Sequence, residues 1–342
     1  MSHVTHLAKN RALLTVRAHV VRLIREWFWQ EGFLEAEAPQ ILRLPGQEPH
    51  LSPMKLAVHD ERGREYAAWL HTSPEYAMKK MLAAGFERIF ALGKVFRDYE
   101  SFGGTHNPEF TMLEWYRAGA YFYKIMDDVE RLLAHVTDSL LRLELPGWSL
   151  PRETANWKPF KRVRMRELWQ EQAGVNLDEY LEREAMLALC RSRGYAPGVE
   201  ERYEDLFYRI FLNEIEPRLA DMGAVIVHHY PLPMAALARA SEAEPGYAER
   251  FEVYLNGLEL ANAFGELTDP AEQRRRLIGE QAERRAAGKD VFDVDEEFIE
   301  ALVTMPDASG IALGVDRLVQ ALSGCKNIDD VLVLPMSKLM NN

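Results

Sequence analysis

Two glutamates, Glu252 and Glu259, lie on either side of a sequence that predicts a tight β-hairpin turn. The Asn-Gly pair at 256–257, between runs of alternating apolar residues, is typical of a two-residue type I′ turn. That turn pairs Glu252 with Ala261 and places both carboxylates on one face as diagonal neighbours, roughly 7–8 Å apart at the backbone. Two such carboxylates can hold Mg²⁺ together with substrate phosphates, although they can also face solvent or share an arginine.

The same strand continues with three more candidate residues, whose parity is opposite to that of Glu259: Asn262, Phe264 and Glu266. Strict alternation would send their side chains to the other face of the sheet. They can share a pocket with Glu259 only if a β-bulge intervenes near Ala261. The sequence therefore predicts either two separate faces or a bulge at that point.

A second predicted hairpin joins strands at 88–98 and 109–117 through a glycine-containing loop. Period-two spacing puts alternate residues of each strand on one face: these are Ala91, Gly93, Val95 and Arg97, and then Phe110, Met112, Glu114 and Tyr116. A ring, a carboxylate, a phenol and a guanidinium above small side chains could bind a flat base, a phosphate and an ammonium group. The loop at 101–107 could close over phosphates. An ordinary amphipathic hairpin with an exposed salt bridge would leave the same pattern.

Helices and further strands must position these two hairpins. Apolar residues at helical spacing predict a helix over 11–32 that Gly32 ends, and Ser73 and Pro74 predict the N-cap and first residue of another helix. The other predicted elements are a strand at 33–38, a mostly helical stretch at 123–220, strands at 224–230 and 250–264, a helix at 271–287 and a strand-turn-helix unit at 310–322. Hairpins beside helices, rather than repeated β-α-β units, favour an α+β fold with helices flanking an antiparallel sheet.

Composition excludes several classes of protein. The chain has 342 residues, of which 47% are hydrophobic and 27% are charged. This composition excludes a disordered protein, a fibrous protein and a small protein held together by disulfides. The formal net charge of 41 − 53 = −12 argues against a generic nucleic-acid binder. Cys190 and Cys325 are far apart, and neither a signal peptide nor a long apolar segment is recognisable. We expect a soluble cytoplasmic protein with no membrane contact.

The two hairpins also resemble motifs of class II aminoacyl-tRNA synthetases of the lysine type. The string HNPEFTMLEWY at 106–116, preceded by VFR at 95–97, is similar to motif 2, and GIALGVDR at 310–317 is similar to motif 3. Pro39, after a helix and strand, resembles motif 1, a dimer element of that class. TSPEY at 72–76 and GLELANAFGEL at 257–267 match the amino acid pocket of the lysyl enzymes.

This resemblance implies one class II synthetase-like catalytic domain over residues 1–342, without an anticodon-binding domain. Its parts would be motif 1 around 11–39, motif 2 around 88–117, a mostly helical insertion around 123–220 and motif 3 around 310–322. Within the class, the likeness is greatest to truncated relatives of lysyl-tRNA synthetase that join (R)-β-lysine to elongation factor P. The chain begins at the motif 1 helix, and Ala312 stands where the synthetases carry glycine.

Membership of that branch implies an ATP-dependent, amide-forming ligase. Lysine or (R)-β-lysine would be activated as an aminoacyl-adenylate with Mg²⁺ and transferred to a lysine side chain of elongation factor P. The resemblance further implies a homodimer and no tRNA partner. Two alternatives stay open: a minimal lysyl-tRNA synthetase-like enzyme that acylates RNA, and an inactive pseudo-synthetase that acts as a binding module.

The resemblance also assigns roles by position. Arg97 and Arg317 would be catalytic and contact ATP, and Glu252 and Glu259 would hold Mg²⁺. The other implied ATP contacts are Asp98, Glu100, His106, Asn107, Phe110, Glu259, Leu260 and Gly314. The implied amino acid contacts are Ser73, Pro74, Glu75, Glu114, Tyr116, Asn262, Phe264, Glu266 and Ala312. In motif 2, either Glu100 or Asp98 can supply the carboxylate on the adenine side, and the Arg97-x-x-Glu spacing favours Glu100.

Overall fold

An eight-stranded sheet forms the centre of the computed structural model, which describes residues 2–155 and 157–340. The strand order is β1-β5-β6-β11-β10-β9-β8-β7, and a separate three-stranded sheet has the order β2-β4-β3. The strands are β1 (Leu34–Glu35), β2 (Ile41–Leu42), β3 (Lys55–His59), β4 (Glu65–Leu70), β5 (Arg88–Phe96), β6 (Glu109–Ala118), β7 (Lys161–Arg164), β8 (Ala224–Pro231), β9 (Tyr247–Leu255), β10 (Leu258–Gly265) and β11 (Ala308–Gly314).

Helices cover both faces of the large sheet. They are α1 (His3–Lys9), α2 (Arg11–Gln30), α3 (Glu75–Ala83), α4 (Phe122–Arg142), α5 (Arg152–Ala155), α6 (Met165–Ala173), α7 (Arg183–Ser192), α8 (Tyr203–Ile210), α9 (Glu216–Met222), α10 (Pro270–Ala286), α11 (Glu296–Leu302), α12 (Val315–Ser323) and α13 (Met336–Leu339). A π-helical stretch, Phe211–Ile215, connects α8 to α9. The architecture is α+β, as the sequence predicts.

The central six strands of the large sheet are antiparallel, which confirms the expected antiparallel sheet. The two edge strands differ, because β1 pairs parallel with β5 and β7 pairs parallel with β8. Strand β7 lies inside the stretch 123–220 and was not predicted, since its sequence KRVR carries only one apolar residue. The rest of that stretch is mostly helical, as expected.

One face of the sheet is sealed by the main hydrophobic core. A row of apolar residues runs across five neighbouring strands in register and packs into this core beneath α2, α4 and α12: Leu92, Leu113, Leu313, Ala261 and Val253. Since side chains alternate along a strand, the residues next to this row point to the opposite face. That second face is therefore the one available for chemistry.

Two further apolar clusters flank the sheet. One packs the helices of the 165–222 region against β8 and β9, and the other packs α3 and α11 against β5 and β6. Together the clusters fix α3 and the two hairpins relative to one another. No helix within residues 2–155 and 157–340 is both long enough and apolar enough to cross a membrane.

Local predictions are mostly confirmed, with shifted boundaries. Helix α2 ends at Gln30, and Gly32 has a φ of +76°, as expected for a residue that ends a helix. The predicted strand at 33–38 is reduced to Leu34–Glu35. Helix α3 begins at Glu75, so Pro74 is not its first residue, although Ser73 Oγ still accepts a hydrogen bond from the Glu75 N–H.

Candidate active site

The β9–β10 hairpin forms the predicted turn and contains the bulge. Asn256 and Gly257 have φ values of +52° and +78°, the left-handed pair that a type I′ turn requires. The register shifts between Glu259 and Ala261, so Glu252 lies opposite Asn262. The predicted pairing of Glu252 with Ala261 is therefore wrong, because strict alternation does not hold across Leu260.

The bulge turns the residues after it onto the face that carries Glu252. Tyr254 remains opposite Glu259, while Arg250 lies opposite Phe264. The candidate metal ligands and the candidate amino acid contacts therefore share one face. The sequence allowed either two separate faces or a bulge, and the structure has the bulge. The side chain of Leu260 is buried in the core, so only its backbone could contact a nucleotide.

Cross-strand register brings the candidate residues of both hairpins together. One row of paired residues crosses the sheet at the level of Ala312, and the next row crosses at the level of Gly310. The first row is Glu252, Asn262, Ala312, Glu114 and Ala91, and the second is Arg250, Phe264, Gly310, Tyr116 and Ile89. Three regions that are far apart in sequence, the two hairpins and strand β11, thus contribute to one continuous surface.

At one end of this surface, three glutamates lie close together, and two of them contact a buried ammonium group. Ser73 Oγ donates to Glu114 Oε1 at 2.5 Å, and the Tyr116 hydroxyl donates to Glu114 Oε2 at 3.1 Å. Lys79 Nζ lies 2.6 Å from Glu75 Oε1 and 2.7 Å from Glu266 Oε2. This concentration of carboxylates is suited to a ligand that carries amines.

Burial changes the ionisation of two of these carboxyl groups. Burial, reinforced by the charge of Glu75, raises the pKa of Glu114 to about 8. Burial also raises the pKa of Glu266 to about 7, although the adjacent Lys79 ammonium acts in the opposite direction. Near neutral pH, Glu114 is therefore mostly protonated and Glu266 is close to half-protonated, and an incoming cation would favour their ionised forms.

The other end of the surface carries the guanidinium groups. The Arg97 guanidinium lies 5.1 Å from the centre of the Phe110 ring. Arg317 donates to the Glu259 carbonyl at 3.0 Å and lies 3.3 Å from Glu259 Oε2. A ring and two cations next to a carboxylate are suited to a base and its phosphates.

The loop between β5 and β6 is held against motif 3 and the C-terminal segment. His106 Nε2 lies 2.9 Å from Arg317 Nη2, and burial together with the Arg317 charge lowers the pKa of His106. Neutral His106 therefore accepts this hydrogen bond. Asn107 is buried and accepts from the Met336 N–H at 2.9 Å, so its amide positions the loop. Asp98 is exposed and Glu100 is half-buried.

The two candidate metal ligands have different partners. Glu252 accepts hydrogen bonds from Arg250 at 2.8 Å and from the Tyr230 and Tyr254 hydroxyls at 2.6 Å each. Burial and the neighbouring Glu252 charge raise the pKa of Glu259. The described residues contain no group of three or more histidine, cysteine or acidic side chains placed to hold a metal. Two carboxylates on one face, with the pKa of Glu259 raised by the Glu252 charge, nevertheless fit a Mg²⁺ ion that also binds phosphates.

Sequence reasoning missed Lys79 and Arg250. Lys79 follows Glu75 by four residues, a spacing that is common on solvent-exposed helices, and only the packing shows that it is fully buried. Arg250 donates to Glu252, Asn262 and the Met234 carbonyl. Its period-two spacing from Glu252 was the one signal that could have identified it.

The fold and this surface define a class II synthetase-like catalytic core. The chain belongs to the class II tRNA synthetase family, since the family model described as "tRNA synthetases class II (D, K and N)" matches residues 4–338. Its curated relatives include the protein named elongation factor P--(R)-beta-lysine ligase from Haemophilus influenzae (strain PittGG), which is 36% identical over 323 residues and 93% of each chain. Proteins of the same name from Actinobacillus succinogenes and Proteus mirabilis are each 35% identical, over 96% and 95% of both chains respectively.

Proposed function

We propose that this protein activates (R)-β-lysine with ATP and transfers it to a lysine side chain of elongation factor P. The observation that carries the proposal is the single surface that joins the buried Glu114 and Glu266 and the partly buried Glu75 at one end to Arg97, Phe110 and Arg317 at the other. An amino acid with amine groups and a nucleoside triphosphate could bind next to each other on this surface. Relatives that align over nearly the whole chain bear the name of this ligase.

The first step joins the amino acid to AMP. A carboxylate oxygen of the amino acid attacks the α-phosphorus of ATP, and the bond to pyrophosphate breaks. Arg97 would contact both the carboxylate and the α-phosphate, and Arg317 would neutralise charge on the departing phosphates. Phe110 would stack on adenine. Such a step depends on alignment and charge stabilisation more than on a general base.

The second step forms the amide. The neutral amine of the acceptor lysine attacks the acyl carbon, AMP leaves, and the amine proton passes to solvent or to the released phosphate. A mixed anhydride is reactive enough for a plain amine, so no nucleophilic side chain is required.

The acidic end of the surface would recognise the amines. We assign Glu75 to the amine nearer the carboxylate, and Glu266 with Tyr116 to the terminal ammonium. Glu114 and Asn262 would complete the pocket, with Ser73 and Pro74 positioning its helix and Phe264 its wall. The Ala312 methyl lies between Asn262 and Glu114 in the cross-strand row, where it would narrow the floor.

Glu252 and Glu259 would hold Mg²⁺ together with the phosphates. When bound, the ion would neutralise charge on ATP. His106, Glu100 or Asp98, and the backbone at Leu260 and Gly314 would supply the remaining nucleotide contacts. These assignments follow from the shared face and from the motif resemblance.

Three further properties follow from the same proposal. We infer that the whole chain is one catalytic domain, that it acts in the cytoplasm where translation factors are found, and that it forms a homodimer. Support for the dimer comes from helix α2, whose outer face is open and includes Trp29, 53% exposed. The net charge of −12 supports a protein acceptor over RNA.

The test is an intact mass spectrum of purified elongation factor P after incubation with the protein, ATP, Mg²⁺ and either lysine isomer. We expect one lysyl addition, greater with (R)-β-lysine, and none with an Arg317→Ala variant. Absence of the addition with both isomers would refute the proposal. A parallel tRNA-charging assay would then support the RNA-acylating alternative if it were positive, and the binding-module alternative if it were negative.

A further inference from the structure

Lys79 places a resident cation inside the pocket that the proposed function assigns to the substrate amines. The residue is fully buried, and Nζ contacts Glu75 at 2.6 Å and Glu266 at 2.7 Å. Neither reaction step uses an amine of the protein itself. A buried ammonium among substrate-binding carboxylates therefore needs its own explanation.

The net charge of the pocket explains why a buried ammonium group is present there. With all three carboxyls ionised, Glu75, Glu114 and Glu266 contribute −3, and Lys79 reduces the pocket charge to −2. A diamino acid brings two ammonium groups, and its carboxylate is directed towards Arg97. The pocket charge thus matches the two substrate amines. Without Lys79, the buried carboxylates of Glu114 and Glu266 and the partly buried carboxylate of Glu75 would repel one another and would retain protons.

The contacts also orient the carboxylates. Lys79 Nζ pairs with Oε2 of Glu266, and neither oxygen of this carboxylate accepts a hydrogen bond from another described residue. A Cβ on Gly310 would lie 2.7 Å from Glu266 Oε1, which places that oxygen at the cross-strand row of Tyr116. The oxygen directed to the pocket floor is therefore Oε1, and Oε2 is the one that pairs with Lys79.

We propose that Lys79 is a specificity-determining positioning residue: its ammonium fixes Glu75 and Glu266 and sets the pocket charge to that of a dicationic amino acid. This inference rests on the proposed function, because the amino acid pocket is part of it. Lys79 acts through the two glutamates and contacts no reacting atom.

Removal of the cation changes the ionisation of its neighbours. Burial alone would lower the pKa of Lys79, but Glu266 and Glu75 outweigh it and hold this pKa above its ordinary value. The charged or titratable groups around the ammonium and its partners are Glu75, Glu266, Glu114, Tyr116 and Arg239. Loss of a cation at contact distance raises a carboxyl pKa by about one unit or more.

The experiment compares Lys79→Met with Lys80→Met. Lys80 is on the same helix but pairs with Asp295 at 2.8 Å outside the pocket, so its variant is a matched control. The assay is ATP–pyrophosphate exchange driven by (R)-β-lysine. For Lys79→Met we expect the KM for (R)-β-lysine to rise about tenfold or more, the KM for ATP to stay unchanged, and the acid limb of kcat/KM to move about one unit to higher pH. Lys80→Met should change none of these, and Lys79→Arg should return the acid limb towards its original position.

An unchanged KM and acid limb in a folded Lys79→Met protein would overturn the inference, and so would an equal rise in both KM values. If the Met variant does not fold, as judged by circular dichroism, Lys79→Gln serves in the same assay with the same expectations. Failure of the proposed function is distinguishable, because then the unmodified protein gives no lysyl addition to elongation factor P in the mass spectrum, whatever its exchange activity.

Discussion

Gly310 lies beneath the ring of Tyr116, and a Cβ there would be 2.2 Å from Tyr116 Cε1 and 2.7 Å from Glu266 Oε1. Gly310→Ala should therefore displace both side chains and raise the KM for (R)-β-lysine by about tenfold or more, because contacts to a charged group are lost. Steady-state ATP–pyrophosphate exchange measures this KM. Gly279→Ala is the control, since a Cβ there meets nothing within 4 Å. A KM for Gly310→Ala equal to that of the control would contradict the argument.

The raised pKa values of Glu114 and Glu266, about 8 and about 7, predict a pH dependence. Both groups must be ionised to bind an ammonium, and a raised pKa means that they lose this charge as the pH falls through 8 and then 7. We therefore expect kcat/KM for (R)-β-lysine to increase between pH 6 and pH 8.5, while the KM for ATP varies little. Glu114→Gln should lower the activity and remove the upper inflection. A flat profile over that range would show that neither carboxyl has to ionise.

At the scale of secondary-structure elements, Asp316 joins three parts of the fold. Its carboxylate accepts from Arg17 on α2 and, at 3.0 Å, from the Thr111 N–H on β6, while Asp316 itself lies in the first turn of α12. Asp316 is 1% exposed, so removal of its carboxylate leaves the Arg17 guanidinium without its buried partner. We expect Asp316→Ala to reduce the free energy of unfolding by about 3–5 kcal/mol.

Urea unfolding followed by circular dichroism measures this loss. The control is Glu296→Ala, which removes the partner of the exposed Arg274 and should change the free energy of unfolding by less than about 1 kcal/mol. Because α12 also carries Arg317, we expect Asp316→Ala to lower adenylation as well. Equal stability of the two variants would show that the three-element junction contributes little.

The secondary-structure elements also show which features of the fold and the site can be predicted from the sequence and which cannot. Turn chemistry at Asn256-Gly257 and period-two spacing in β5 and β6 predicted the hairpins and their faces, since both depend on local backbone geometry. The sequence predicted the bulge only on the condition that Glu259 and Asn262 share one pocket. Its position depends on the packing of Leu260 into the core, which local spacing does not show. Lys79 was missed for a similar reason: an i,i+4 pair with Glu75 looks the same in sequence whether it is exposed or fully buried.

At the scale of the whole molecule, the sheet separates two tasks. One face packs against α2, α4 and α12 and supplies stability, whereas the other brings together residues from both hairpins, α3 and motif 3. The first face holds the strands in register, so the second can carry buried charges that destabilise one another. Such charged groups are tolerated because the core on the opposite face offsets their cost.

The outer face of α2 is left uncovered by this arrangement. It presents Ala18, Val21, Arg22, Arg25, Glu26, Trp29 and Gln30, a mixture of apolar and oppositely charged residues that a second copy could complement. We predict that the protein sediments as a dimer of 2 × 39.3 = 78.6 kDa and that Trp29→Asp shifts it towards the monomer. Val199→Asp, at another exposed apolar side chain, is the control and should leave the dimer intact. Sedimentation velocity across a concentration series distinguishes the outcomes: a monomer at all concentrations contradicts the dimer, and a dimer that survives Trp29→Asp places its interface elsewhere.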